Sequence, residues 1–310
     1  MPKPSLAITI RTFNANELVR AWLDAYFSVD YINTTGKRLS EVELTDAVRN
    51  ADVVIAGTEP FSRTVLESAQ KLQVISRVGV GTDSIDLATA EKKHIKVQTT
   101  TQTTIQPVAE HTIALIFTMA KRIAEYNDAA RRNDYSVRTA SLVLGKTVGI
   151  IGLGRIGKRV AEIVSALGCR VIFYDPFIAK SPDPAWVQVA SLDELLGNSD
   201  IITLHVPAQK ESRPLMDREA FSRCRKGVLF VNTARGSLVD EEALFDAISR
   251  GDVGGAGLDV TVKEPYSGPL LGLDKVIFTP HVASNTTESR IAMEKEAIEN
   301  LIQFVTKEQQ

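Results

Sequence analysis

The sequence predicts an α/β protein of two doubly wound parallel-sheet domains with a cleft between them, on three observations. Strand-like and helix-like segments alternate along all 310 residues, the pattern of parallel sheets layered with helices. A Gly-x-Gly-x-x-Gly run lies between an apolar strand and a helical stretch near the middle of the chain. The helix-patterned tail, residues 287–305, is too short for a domain and is expected to pack back on the N-terminal part. The first domain is therefore discontinuous, residues 1–98 with 285–310, and the second spans 99–284.

Taken in order, short apolar, β-branched runs predict strands at 6–10 ("LAITI"), 52–57 ("DVVIAG") and 72–77 ("LQVISR"). Helical patterns follow them at 15–27, 63–70 and 85–93. The second domain opens with an apolar helix over 108–123. Strands follow at 147–152, 170–175, 200–206, 227–232, 255–260 and 275–280. Six strands with interposed helices match a complete doubly wound nucleotide domain.

Composition excludes several classes. Hydrophobic residues make up 44% of the chain, enough for more than one core. With 36 basic and 38 acidic residues the formal charge is -2, so no basic excess points to nucleic acid or an anionic membrane. The helix at 108–123 carries Glu110, His111, Lys121 and Arg122 and is too short and polar to span a bilayer. The N-terminus lacks the apolar run of a signal peptide. Cys169 and Cys224 suit a reduced compartment and read as small core residues. His94, His111, His205 and His281 show no ligand spacing, so no metal site is expected. A cytoplasmic protein is expected.

The strongest motif is "KTVGIIGLGRIGKRVAEIVSALGCRVIFYDP". Gly152 permits a tight turn, Gly154 lets backbone approach a pyrophosphate, and Gly157 lets the helix pack closely on the strand. Free N–H groups at the helix start attract phosphate charge. Asp175 ends the next strand, 18 residues after Gly157, where it can accept from a ribose 2′-hydroxyl and repel a 2′-phosphate. No Arg or Lys follows it directly, so NAD is favoured over NADP.

Three more polar residues follow strand ends in the same half: Arg235 after "LFVNTA", Glu264 after "GLDVTVK" and His281 after "VIFTP". Strand carboxyl ends in such a sheet converge on one crevice, so the three can meet beside a nicotinamide. Reduction of a ketone needs a proton donor, and imidazole titrates near neutral pH. Glu264 would orient His281 and stabilise its imidazolium. Arg235 offers a planar fork for a substrate carboxylate.

Across nearly its full length the chain resembles the D-isomer-specific 2-hydroxyacid dehydrogenase family. The likeness rests on "RVGVGTDSIDLATA", "PVAEHTIALIFTMAKRI", "LGKTVGIIGLGRIG", "LHVP", "VNTARGSLVDEEAL", "GAGLDVTVKEP" and "TPHVAS". The resemblance implies a Rossmann NAD domain joined to a flavodoxin-like substrate domain. It assigns catalysis to Arg235, Glu264 and His281. Cofactor contacts fall on Arg155, Ile156, Asp175, Val206, Pro207, Thr233, Ala234, Asp259 and Thr104, with Asp259 on the nicotinamide amide. Backbone N–H groups of Val78, Gly79 and Val80 would bind the substrate carboxylate, with Arg77 adding charge. The helix at 108–123 resembles the family's dimer-forming helix, which implies a homodimer.

Within the family, "GTEP", "SRVGVG" and "EPYSGPL" resemble the phosphoglycerate branch, which implies exchange between 3-phosphoglycerate and 3-phosphohydroxypyruvate. That branch places arginines after the third strand, where this chain has Ala56, Gly57 and Thr58 with Arg63 and Arg77 nearby. Glyoxylate or hydroxypyruvate reduction is the alternative. Thr101, Gln102 and Thr104 stand where the family often has Pro, Gly and Asn. A different class, an NAD-sensing corepressor, keeps the same triad, but such proteins usually carry tails that this composition does not show.

Overall fold

A computed structural model describes residues 2–13, 16–208 and 213–307. The expected start of the first helix at Ala15 lies outside the described residues. The chain divides into two compact units, Met1–Thr104 with Asn285–Gln310, and Ile105–Ser284. The division thus falls at 104/105, where the sequence places it at 98/99.

The first unit runs β1 (Ser5–Ile8), α1 (Glu17–Tyr26), β2 (Ser28–Ile32), α2 (Glu41–Val48), β3 (Val53–Ala56), α3 (Arg63–Ser68), β4 (Val74–Arg77), α4 (Leu87–Lys92) and β5 (Lys96–Thr99). Its five strands are all parallel, in the order β2-β1-β3-β4-β5. That is the flavodoxin-like doubly wound order. Sequence reading missed β2, α2 and β5. The two strands are sheet edges whose side chains are mostly part-exposed, so they lack the apolar run that marks a buried strand. Helix α2 was legible in its capping box, in which Ser40 and Glu43 satisfy each other's backbone N–H groups.

The second unit runs α5 (Ile105–Ala120), α6 (Ile123–Arg131), β6 (Thr147–Ile151), α7 (Arg155–Ala166), β7 (Arg170–Tyr174), β8 (Val187–Gln188), α8 (Leu192–Asn198), β9 (Ile201–Leu204), α9 (Arg218–Arg223), β10 (Val228–Asn232), α10 (Glu241–Arg250), β11 (Val253–Leu258) and β12 (Val276–Phe278). The last helix, α11 (Thr287–Lys307), returns to the first unit. The second sheet is also all parallel, ordered β12-β11-β10-β9-β6-β7-β8. It has seven strands rather than the six expected, because the two-residue β8 extends the far edge. The strand order reverses between β6 and β9, the place where such sheets take their ligands.

The helix expected over 108–123 is corrected. It begins at Ile105, since Pro107 lies in the first turn where its missing N–H costs nothing. It stops at Ala120 because Arg122 adopts a left-handed backbone, φ 55°, and Ile123 starts the next helix.

Each sheet is covered on both faces. One face of the second sheet packs Leu195, Phe221, Phe230 and Leu244, and the other packs Leu115, Ile116, Val160 and Val164. In the first unit, Met293, Ala297, Ile298, Leu301 and Val305 of α11 join Leu6, Ile8, Val53, Ile55 and Val74 of the sheet. A buried hydrogen bond from Ser76 Oγ to the Ala297 carbonyl, 2.9 Å, pins that helix to β4.

Candidate active site

The Gly-rich turn is shaped by close approach. Gly152 has φ +89°, and a Cβ there would sit 2.5 Å from Val206 Cγ1 and 2.7 Å from the His205 carbonyl. At Gly157 a Cβ would lie 2.1 Å from the Gly152 carbonyl. Gly154 differs: a Cβ there would meet nothing within 4 Å. Gly154 is also the N-cap of α7, and no side chain caps it. The result is an open backbone surface at a helix N-terminus, suited to a pyrophosphate. Asp175 holds this turn in place, with Oδ2 accepting from Leu153 N–H and Oδ1 from Phe177 N–H, each at 2.9 Å. Each oxygen keeps a lone pair for a ribose hydroxyl. Arg155 and Ile156 open α7, and Val206 and Pro207 follow β9. These residues fit a dinucleotide.

His205, which sequence reading did not place in the site, stands beside this turn. Its Nε2 lies 3.0 Å from Thr203 Oγ1, and burial pushes its pKa down to about 3. Burial thus favours the neutral ring.

The three expected catalytic residues extend from β10, β11 and β12, which are neighbours in register. His281 Nδ1 and Glu264 Oε2 are 3.0 Å apart. Both side chains are about half exposed, 51% and 43%, so a substrate can reach them. With Nδ1 on the carboxylate, Nε2 is the ring nitrogen left for a reacting oxygen. Arg235 follows β10 in extended backbone, φ −146°, and its Nη1 donates to the Ala234 carbonyl at 2.7 Å. The buried Asn232 shapes that turn, donating to the Arg235 carbonyl and accepting from Ala234 N–H at 2.9 and 3.0 Å. A Cβ at Gly236 would lie 2.0 Å from the Thr261 carbonyl carbon. The Arg235 turn is thus seated against the segment that carries Glu264. Gly236 escaped sequence reading because its effect is tertiary, and Asn232 because its bonds form only once the turn takes this shape.

Asp259 and Thr233 lie beneath. Asp259 is 2% exposed. Its Oδ1 accepts from Thr279 Oγ1 at 2.5 Å and from Val282 N–H at 2.9 Å, and its Oδ2 accepts from Ala283 N–H at 2.9 Å. Thr233 Oγ1 lies 3.0 Å from Thr112 Oγ1 of α5. Thr112 spends its own proton on the Val108 carbonyl, so Thr233 is the donor.

The loop expected to take the carboxylate lies in the first unit and is largely self-satisfied. Val78 N–H donates to the Ala56 carbonyl at 2.8 Å, and Gly79 N–H to Thr100 Oγ1 at 2.6 Å. The expectation that both donors stand open is corrected, because the β4 ladder and Thr100 use them. Val80 is 41% exposed. Arg77 folds back over the turn: its Nη1 donates to the Val78 carbonyl at 2.6 Å and would lie 1.3 Å from a Cβ at Gly79. Arg63 pairs with Glu67 on the surface of α3 at 2.7 Å and is 72% exposed. Glu296 of α11 accepts from Thr101 N–H at 3.1 Å, a bond that proline at that position could not make. Gln102 is exposed. Thr104 is buried, and its Oγ1 has no hydrogen-bond partner among the described residues.

Sequence reading overlooked Glu59, which lies beneath the Ala56–Gly57–Thr58 loop, 1% exposed. Its Oε2 accepts from Gly57 N–H at 2.6 Å and Thr9 Oγ1 at 3.3 Å. Burial raises its pKa. The folded protein therefore holds this proton more tightly than the unfolded chain, and the stability linked to it is lost as pH rises. Glu59→Gln has no such loss. Its melting temperature minus that of the wild type is expected to grow as pH rises from about 4.5; a gap independent of pH would show that Glu59 is not the titrating group.

Fold and site together define a dinucleotide-binding α/β protein with an Arg–Glu–His constellation at its strand ends. The model of the D-isomer specific 2-hydroxyacid dehydrogenase NAD binding domain matches residues 113–283, and the chain belongs to that family. It is 38% identical over 253 residues to D-3-phosphoglycerate dehydrogenase of Mycobacterium leprae, covering 80% of this chain and 48% of that protein. The chain spans about half the length of the curated phosphoglycerate dehydrogenases it matches. It is 35% identical over 277 residues to hydroxypyruvate reductase of Thermotoga maritima, covering 87% of this chain and 90% of that one. Among solved structures, D-lactate dehydrogenase from Aquifex aeolicus, complexed with NAD and lactic acid, is similar at a TM-score of 0.82 and 31% identity, covering 98% and 96% of the two chains.

No helix among the described residues is long and apolar enough to cross a membrane, and none of their side-chain clusters could hold a metal ion.

Proposed function

We propose that the protein is an NAD-dependent D-2-hydroxyacid dehydrogenase that interconverts a small 2-oxo acid and its D-2-hydroxy acid. The observation that carries this reading is the His281–Glu264 pair at 3.0 Å, in the loops that follow β12 and β11, next to the β10 end that carries Arg235 and in the same unit as the Gly-rich turn. NAD(H), when bound, supplies or accepts the hydride. The open backbone at Gly154, with Arg155 and Ile156 at the start of α7, would hold its pyrophosphate, Gly152 and Gly157 shape that turn, and Asp175 would hold its ribose. Val206, Pro207, Thr233, Ala234 and Asp259 line the rest, and Thr104 brings an unsatisfied hydroxyl. In reduction His281 Nε2–H gives a proton to the carbonyl oxygen as alkoxide character develops, and Glu264 balances the imidazolium beforehand. In oxidation the same nitrogen takes the hydroxyl proton. Arg235 holds the carboxylate and polarises the carbonyl.

The side chain of the substrate is small and unphosphorylated, as in glyoxylate or hydroxypyruvate. Glu59 places an acid beneath the loop where a phosphate would need cations, and Arg63 is tied to Glu67. A panel of NADH-oxidation rates with glyoxylate, hydroxypyruvate, pyruvate, 2-oxoglutarate and 3-phosphohydroxypyruvate tests this. Preference for an unphosphorylated acid is expected. Preference for the phosphorylated one would overturn the Glu59 argument and leave the reaction class standing. Silence with all five, with NADH bound, would overturn the class and favour the sensor.

Asp175→Ala is expected to raise the NADH KM and relax discrimination against NADPH about tenfold, because it removes both the repulsive charge and two bonds that hold the turn. Unchanged discrimination would place the ribose contact elsewhere.

The reading includes a homodimer and a cytoplasmic location. Tyr135, Val137, Leu142 and Leu144 beyond α6 are large apolar side chains left exposed, which supports a protein interface there. Cys169 and Cys224 are unpaired in the described residues, in keeping with a reducing compartment.

A further inference from the structure

His281 holds a left-handed backbone conformation, φ +54°, an uncommon one for a non-glycine residue, which surrounding bonds can enforce. The enforcement is visible. His281 N–H is directed at the carbonyls of Asp259 and Thr279, at 2.9 and 3.0 Å. The next two backbone N–H groups, of Val282 and Ala283, both end on the Asp259 carboxylate. That carboxylate also takes the Thr279 hydroxyl. The whole turn from 279 to 283 is therefore hung on one buried acid.

The chain of bonds does not stop at Thr279. His111 Nε2, on α5, lies 2.9 Å from Thr279 Oγ1 and 3.5 Å from Asp259 Oδ1. Thr279 has one proton and gives it to Asp259, so toward His111 it can only accept. His111 must then carry its proton on Nε2. The direction of every bond is fixed: His111 Nε2–H to Thr279 Oγ1, and Thr279 Oγ1–H to Asp259 Oδ1. Helix α5 is a firm base for this, since it packs so closely on β11 that a Cβ at Gly257 would lie 3.0 Å from Leu115 Cβ. The neighbouring Thr112 accepts from Thr233 at the base of the Arg235 turn. Two consecutive residues of one helix thus each steady one catalytic turn.

We propose that His111 is a positioning residue for the acid/base group: through the one-way chain His111–Thr279–Asp259 it fixes the turn that aims His281. The proposal rests on the reading of His281 as the proton donor. His111 touches neither substrate nor reacting atoms in this account, and its effect is on where His281 Nε2 stands when the proton moves.

The test is a set of variants measured with the best 2-oxo acid of the panel. His111→Phe keeps an aromatic ring but loses the donor. Its kcat is expected to fall about 10- to 100-fold, the scale of a catalytic group displaced by about 1 Å. KM for the oxo acid and Kd for NADH should stay within about threefold. His111→Gln, whose amide N–H can take the Nε2 place, should recover most of the rate, and a purely space-filling role for the ring would not produce that rescue. Thr279→Val should mimic His111→Phe, Thr279→Ser should behave as wild type, and the double variant His111→Phe/Thr279→Val should be no worse than either single one. Equal losses in His111→Phe and His111→Gln, or a loss carried by KM and Kd with kcat intact, would overturn the proposal.

A second readout stands apart from turnover. In the free protein, ring-nitrogen NMR should show His111 as the Nε2–H tautomer at neutral pH in wild type, with that preference lost in Thr279→Val. An Nδ1–H ring in the wild type would overturn the proposal. A wild type inert toward all oxo acids would overturn the proposed function and leave the NMR result to decide the chain itself.

Discussion

His281→Ala lowers kcat for 2-oxo acid reduction by about 10²–10⁴-fold, the contribution of a well-placed general acid, while NADH affinity stays within about threefold. The separation is expected because the Gly-rich turn and Asp175 lie on β6 and β7, away from the β12 end that carries His281. Stopped-flow hydride transfer alongside NADH fluorescence titration measures both quantities. Alanine leaves the Asp259 bonds intact, since those come from the backbone of 282 and 283 and from Thr279. A loss confined to kcat would therefore report the missing proton donor. Turnover retained across the neutral range would remove His281 from that role, and the candidate donor would have to be sought elsewhere.

Arg235→Gln is the second large effect. A carboxylate bound by a guanidinium fork makes two charge-assisted hydrogen bonds, and removing one partner of such a pair costs about 2–5 kcal/mol. The expected fall in kcat/KM for the oxo acid is about 10²–10³-fold, with Arg235→Lys in between because it keeps the charge and loses the fork. The control is thermal stability. Arg235 points its Nη1 at the Ala234 carbonyl, but Asn232 holds the turn independently through the Arg235 carbonyl and the Ala234 N–H. The melting temperature should change by no more than a few degrees. Unchanged kcat/KM would mean that the substrate anion is held by other groups.

The buried core of the fold was legible because its signals are local. Strands β3, β4, β6, β7, β9 and β10 are short apolar runs, and the Gly-rich turn with Asp175 is a spacing that backbone geometry demands. The parts that were missed are those where packing lies outside the segment. Edge strands β2 and β5 carry polar residues on open faces, so nothing in their composition separates them from loops. Arg122 breaks the helix at a position where propensity alone would continue it. In the candidate site, Arg235, Glu264 and His281 stand out in the sequence because each follows a strand end. Asn232, Gly236, His111, Thr279 and Glu59 do not. Gly236, His111, Thr279 and Glu59 each act on a partner distant in sequence or through a backbone approach, and Asn232 acts within a turn whose shape its local sequence does not announce. The Val78–Gly79 turn shows the opposite error: a loop with the right residues proves to have spent two of its donors on Ala56 and Thr100.

The helix that closes the first unit is the last one in the described chain. Its residues Met293, Ala297, Ile298, Leu301 and Val305 complete the core over β1, β3 and β4. During synthesis the five strands of that unit leave the ribosome before the second unit does, yet one face of their sheet is covered only in part, by Leu23 of α1 and Phe27 just after it, until α11 follows. The second unit, Ile105–Ser284, has all its own elements available before then. Birth order and completion order are therefore reversed: the segment made first is finished last. A ribosome-stalled chain truncated after Ser284 should resist protease across the second unit, while β1 to β5 remain open to cleavage.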